Sequence, residues 1–217
     1  MAKKETVTED VKVEETKEEK SNYNYPDIIR VALLKTGREG MIDLLGFMQE
    51  IGFLKAPCSG GNHLCKDEGL AEHSVNVMWQ AEKIGVALLG GARYNEIQSS
   101  VVIAALLHDL GKCGDYGKAL YVENILKTTK KRSVPKPFKR NPNLSNVPHA
   151  IRSIKLATLF IDLTEDEEWA ILAHDGLYDF MKYEIQGHET ELSMIIHWAD
   201  MWASKVIEKN EESEGEN

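Results

Sequence analysis

A chain of 217 residues, 42% hydrophobic and 28% charged, can bury one sizeable core and has the balance of an ordinary globular protein. Its net charge of −9 argues against a general nucleic-acid coat protein, and no apolar run approaches the roughly 20 residues that span a bilayer. The N-terminus lacks the apolar core of a signal peptide, and three cysteines at scattered spacing make no disulfide framework, so a reducing, cytoplasmic compartment without membrane contact is expected.

Residues 1–22 are rich in Glu, Lys, Thr and Val and hold no leucine, isoleucine or aromatic residue. Such a segment buries too little apolar surface to offset its ordering entropy, and it reads as a disordered charged tail. Residues 208–217 (EKNEESEGEN) read as an acidic disordered tail. Between them, 23–207 is expected to be one folded domain.

Asp27 is placed as a turn or cap residue before IIRVALLKTG, and MIDLLGFMQEIGFL follows with Met41, Leu44, Leu45, Met48 and Ile51 at helical spacing. Lys55 to Glu68 is a loop by its Gly, Pro, Ser and Asn content. Within it Cys58, His63 and Cys65 suggest a zinc knuckle, but the spacing matches no usual structural zinc pattern and a fourth ligand is missing nearby. GLAEHSVNVMWQAEKIGVALL is the next helix, with His73 four residues before Val77 and facing the same core. A further helix, opened by Asn95 or Ser99, runs through VVIAALL and delivers His108 and Asp109 to its end.

Residues 114–148 change character. Between Lys127 and Arg140 stand seven basic residues (Lys127, Lys130, Lys131, Arg132, Lys136, Lys139, Arg140) and no acidic one. The stretch reads as a long loop, with a short helix expected around ALYVENILK. Three helices follow. HAIRSIKLATLFI is opened by Pro148, LTEDEEWAILAHDG carries a capping-box pattern in Thr164 and Glu167, and TELSMIIHWADMWASKVIE closes the domain. With no strand alternation of any length, the fold class is all-α. Trp79, Trp169, Trp198 and Trp202 are assigned to the core.

Several histidines fall at helix ends: His73, His108 beside Asp109, His149, and His174 beside Asp175. Asp200 lies between Ile196, Ala199 and Ala203 and should face the core, where a lone carboxylate is costly. Singly, each has an ordinary reading as a hydrogen-bonded core residue. Together they would need as many separate partners, and a shared divalent metal satisfies them all at once.

GLAEHS, LLHDLGK and the late Asp of HWADMWAS resemble the H…HD…D pattern of the HD superfamily of metal-dependent phosphohydrolases, over about residues 41–207. The resemblance implies a single helical HD domain in which His73, His108, Asp109 and Asp200 bind one divalent metal. PHAIRS and AILAHDG resemble the extra histidine motifs of binuclear members, which implies His149 and His174 as ligands of a second ion with Asp109 bridging. The likeness is to small HD-domain hydrolases of bacterial and phage type. HD-GYP enzymes carry a GYP motif that this chain lacks, so cyclic-dinucleotide hydrolysis is not implied.

Such a donor set suits Mn²⁺, Fe²⁺, Ni²⁺, Co²⁺ or Zn²⁺, or Mg²⁺ with water in the remaining positions. The expected activity is metal-assisted hydrolysis of a small-molecule phosphate substrate, a nucleotide or a related phosphate ester or anhydride, with Asp109 and Lys112 as catalytic residues. The alternatives are a nuclease on single-stranded nucleic acid and a metal-containing regulatory module without turnover. Lys112 is read either as neutralising phosphoryl charge or as a solvated lysine, and His63 either as a phosphate contact or as an exposed loop residue. Arg152 and the loop residues Lys130, Lys131 and Arg132 are candidate substrate contacts, against a plain solvated loop. Asp175 and Tyr178 are expected only to shape the site, and His188 and His197 to be peripheral.

Overall fold

A computed structural model describes residues 23–176 and 181–209. Both tails up to 22 and from 210, and Tyr178, lie outside the described residues. The described chain is mostly helical, 58% helix against 5% strand, as the periodicity implies.

Helix α1 (Tyr25–Lys35) is capped by Asn24, whose side chain accepts from the Asp27 N–H, with a proline in the first turn. It is followed by α2 (Met41–Glu50) and a 3₁₀ turn (Phe53–Lys55). The long α3 (Gly69–Leu107) is broken at Gly90, where the backbone leaves helical geometry (φ 73°, ψ 160°). It is the central element, packed against α1, α5 (Glu165–Leu172) and α7 (Glu191–Trp202). That is why Ile103 through Leu107 are buried without a polar face. A 3₁₀ turn (Leu110–Cys113) leads out of α3 and packs on α4 (His149–Ala157). The short α6 (Lys182–Ile185), not foreseen from the sequence, precedes α7, which runs into a π-helical turn (Ala203–Ile207).

Three expectations are corrected. ALYVENILK forms no helix: Tyr121–Glu123 is strand β1, paired antiparallel with β2 (Phe138–Arg140) in the register Tyr121 with Arg140 and Glu123 with Phe138. Tyr and Val favour a pleated strand, and a partner strand decides the matter over a run this short. Second, not all the tryptophans are core. Trp198 and Trp202 are 43% and 54% exposed on the outer side of α7 and Trp169 is partly buried, whereas Trp79, also partly buried, packs against the core. Third, order does not stop at residue 207: Glu208 is 6% exposed and sits inside the fold.

Thr164 and Glu167 form the expected capping box of α5. Glu167 does more than cap. Its carboxylate is buried and receives Arg38 through two nitrogens at 2.6 and 2.9 Å, Ser100 Oγ at 2.8 Å and the Thr164 N–H at 2.9 Å. It thereby ties α5 to α3 and to the α1–α2 turn, and Arg38 also donates to the Asp162 carbonyl.

Candidate metal centre

Local geometry sets each site residue. His73 lies one turn into α3, and His108 and Asp109 follow its last residue. Gly111 then lets the chain press onto α4: a Cβ there would stand 2.1 Å from the His149 carbonyl oxygen and 2.6 Å from Arg152 Cβ, so glycine alone fits. The Gly111 N–H donates to Ser153 Oγ at 2.8 Å, and that buried hydroxyl donates to the His108 carbonyl at 2.7 Å. One clamp thus holds His108–Asp109 against the start of α4, which carries His149. The turn ending α5 brings His174, and α7 brings Asp200.

The tautomers follow from the hydrogen bonds. His108 Nδ1 faces the Ala105 carbonyl at 2.8 Å, His174 Nδ1 the Ile171 carbonyl at 2.7 Å, and His73 Nδ1 the Glu208 carboxylate at 2.9 Å. Each partner is an acceptor, so each Nδ1 carries the proton and each neutral ring turns the Nε2 lone pair inward. There the lone pairs meet one another and carboxylates. His73 Nε2 lies 3.3 Å from His108 Nε2, 3.1 Å from Asp200 Oδ1 and 3.5 Å from Asp109 Oδ2. His149 Nε2 lies 3.0 Å from His174 Nε2 and 3.1 Å from Asp109 Oδ1. Asp109 therefore points one oxygen at each cluster, and neither oxygen has a hydrogen bond of good geometry. Acceptors facing acceptors in a buried place require a cation. Donors bound at about 2.1 Å to one ion stand about 3.0–3.5 Å apart, which matches these separations.

Charge tells the same story. Burial opposes ionisation of Asp109, but the Lys112 ammonium, 2.5 Å from Oδ2, and the His108 ring outweigh it and hold the carboxyl well below its usual range. Burial likewise disfavours charge on His73, yet Cys58, Asp200 and Glu208 around it raise its proton affinity well above the ordinary imidazole, so a second proton on Nε2 and a metal cation compete for the same place beside Asp200. Asp200 is held down in spite of burial by His73, His108 and His174. The pocket is built for positive charge.

Among the described residues four groups are placed to hold a metal: Cys58–His63–His73, His73–His108–Asp200, His108–Asp109–His174 and His149–His174–Asp175. Asp175, expected only to shape the site, brings Oδ2 to 3.5 Å from His149 Nε2. The sequence reading also passed over Glu208, which orients His73, accepts from Asn76 Nδ2 at 2.9 Å and lies 3.6 Å from His63 Nε2. Placed in a run of Glu, Lys and Ser, Glu208 gave no local signal. His63 and Cys58, 3.3 Å apart, line the same pocket beside His73, and burial pushes the His63 ring down to about 4. Cys65 instead meets Ser59 Oγ, so no Cys58–His63–Cys65 knuckle forms. Arg152 is 2% exposed, with Nη2 on the Ser145 carbonyl at 2.6 Å and two nitrogens lacking a partner among the described residues. Lys130, Lys131 and Arg132 are exposed on the hairpin and touch none of the clustered donors. His188 is peripheral, whereas His197 Nδ1 bonds the His174 carbonyl at 2.7 Å and steadies that turn.

A family model described as HD domain matches residues 70–202, more than half of the chain. The chain belongs to the HD domain family. The match begins in the first turn of α3 and ends with α7, and so spans His73, His108, Asp109, His149, His174 and Asp200. HD domains bind divalent metals and are generally metal-dependent hydrolases, and the donor groups found here fit that role. Comparison with curated proteins and with solved structures gives no match. No helix among the described residues is long and apolar enough to cross a membrane.

Proposed function

We propose that this HD domain is a metal-dependent phosphohydrolase acting on a nucleotide or a related phosphate ester or anhydride. The observation that carries the reading is the convergence of inward-facing imidazole lone pairs on the two carboxylates of Asp109 and Asp200. His73, His108, Asp109 and Asp200 would hold one divalent ion, and His149, His174 and the second oxygen of Asp109 another, with Asp175 as a further donor. Bound there, such ions lower the pKa of water towards neutrality and offset charge on a phosphoryl group.

The chain itself supplies orientation and charge. Lys112 sits beside Asp109 with its side chain 14% exposed, where its ammonium meets an entering phosphate. His63 and Cys58 form the facing wall and narrow the space for water. Metal analysis of the purified protein, followed by a hydrolysis screen over nucleotides, cyclic nucleotides and short oligonucleotides, tests the reading. Metal-dependent release is expected; bound metal without turnover across the panel would make the domain a regulatory module.

Three variants probe the ligand set. His149→Ala or His174→Ala is expected to lower the bound metal from about two ions towards one. Unchanged stoichiometry would reduce the proposal to a mononuclear site. Glu208→Gln should weaken metal affinity by about 10–100-fold through the loss of the carboxylate that fixes His73, as read by competition with a chelator. An unchanged affinity would leave Glu208 as an anchor of the chain end only.

A further inference from the structure

We propose that the β1–β2 hairpin is a track for a phosphate backbone, and that the substrate entering the metal pocket is the end of a single-stranded nucleic acid. This rests on the phosphohydrolase reading for its chemistry but on separate residues for its support.

Seven basic side chains lie between Lys127 and Arg140, and every one is exposed. Of the seven, only Arg132 reaches a carboxylate among the described residues, Glu123 at 3.8 Å. In a chain of net charge −9, an uncompensated block of this kind is a feature of the hairpin and not of the surface at large. The hairpin is also joined to the pocket wall. The Phe138 N–H donates to the Gly60 carbonyl, and a Cβ on Gly60 would stand 3.2 Å from the Phe138 carbonyl oxygen and 3.6 Å from the Tyr121 ring. Gly60 belongs to the loop that carries Cys58 and His63 into the pocket. Tyr121, partly buried, sets its ring against Gly60 and so against that loop. Its register partner is Arg140, one of the seven basic residues, so the block reaches the end of the hairpin that meets this loop. A groove between hairpin and loop is lined by Cys65, Lys66, Arg132 and Ser133, with one acidic residue, Asp67, among them.

A lone nucleotide would leave most of these charges unused. A duplex would keep its phosphates outside a centre whose His108 and Asp109 are at most 1% exposed, whereas a strand end threads in. Tyr116, 79% exposed in the turn leading to β1, carries the Lys155 ammonium over one face of its ring at 4.1 Å and has the other face for a base to stack on.

The test is fluorescence anisotropy of a labelled single-stranded oligonucleotide of about a dozen nucleotides, DNA and RNA, titrated with the full chain in EDTA. If four phosphates are neutralised, affinity should fall roughly 50-fold between about 50 and 200 mM salt, from a slope of about 0.7 per contact in log affinity against log salt concentration. Replacing Lys127, Lys130, Lys131 and Lys139 together by Gln should weaken binding about tenfold or more and flatten the salt dependence. These ammonium groups make no hydrogen bond among the described residues, so the fold should persist. Binding no tighter than that of a mononucleotide, binding indifferent to salt or to the substitutions, or equal competition by polyglutamate would each overturn the proposal. Turnover is not read, so a failure of metal-dependent hydrolysis and a failure of strand binding are seen separately.

Discussion

Asp109→Ala is expected to abolish metal binding and to lower any metal-dependent hydrolysis by about 10³-fold or more, while helical content stays near wild type. The carboxylate is 1% exposed and meets four rings, with Nε2 atoms of His149, His108, His73 and His174 at 3.1, 3.3, 3.5 and 3.7 Å. One of its oxygens faces each cluster, so its loss removes a donor from each. The helices do not depend on it: Gly111, Ser153 and the His108 carbonyl form the clamp between α3 and α4 without its side chain. The loss also leaves the Lys112 ammonium without its nearest anion, which adds repulsion against any cation entering the pocket. Asp109→Asn separates the two effects by keeping the shape and removing the charge. Metal content by elemental analysis, hydrolysis rate and far-UV circular dichroism decide the matter. A fully active Asp109→Ala protein would place the chemistry elsewhere.

The helical content and the central donors were legible because both leave a periodic trace. An apolar run ending in His108–Asp109 has one sensible reading as a buried helix that ends on something charged, and His73 and Asp200 lie on apolar faces that can be counted. What escaped was non-local. Glu208 comes after a π-helical turn, whose wider winding shifts the face that α-helical counting assigns, and Val206, within that turn, falls outside for the same reason. The hairpin was taken for loop and helix because a three-residue strand carries too few side chains to show alternation, and its pairing depends on a partner about fifteen residues away. Arg152 shows the opposite limit. A charged residue one turn after His149 gives no sign in the sequence that its Cβ packs beneath Gly111 and that its side chain is buried, with Nη2 on the Ser145 carbonyl and two nitrogens without a partner among the described residues.

The largest effect on stability is expected at Glu167, which the sequence marks only as the third residue of a capping box. Glu167→Ala should destabilise the domain by about 3–5 kcal/mol, since it removes one partner of a buried ion pair and leaves Arg38 and the Ser100 hydroxyl facing a void. For a domain of this size that is a fall of roughly 10 °C or more in Tm. Glu167→Gln should cost less, because an amide oxygen can still accept from the Thr164 N–H that caps α5. Burial works against the charged form of Glu167, but the hydrogen bonds from Arg38, Thr164 and Ser100 prevail and hold its carboxyl below the ordinary value. A group whose proton affinity is lower in the folded state stabilises the fold above its unfolded pKa, about 4.3 for glutamate, and that stabilisation disappears as pH falls through the folded value. Thermal unfolding followed from neutral pH down to about pH 3 should therefore show wild type losing stability below about pH 4.5, with the difference between wild type and Glu167→Gln narrowing over the same range. If the difference stayed constant with pH, the contribution of Glu167 would be one of shape and packing, and the charge on its carboxylate would have no part in tying α5 to α3.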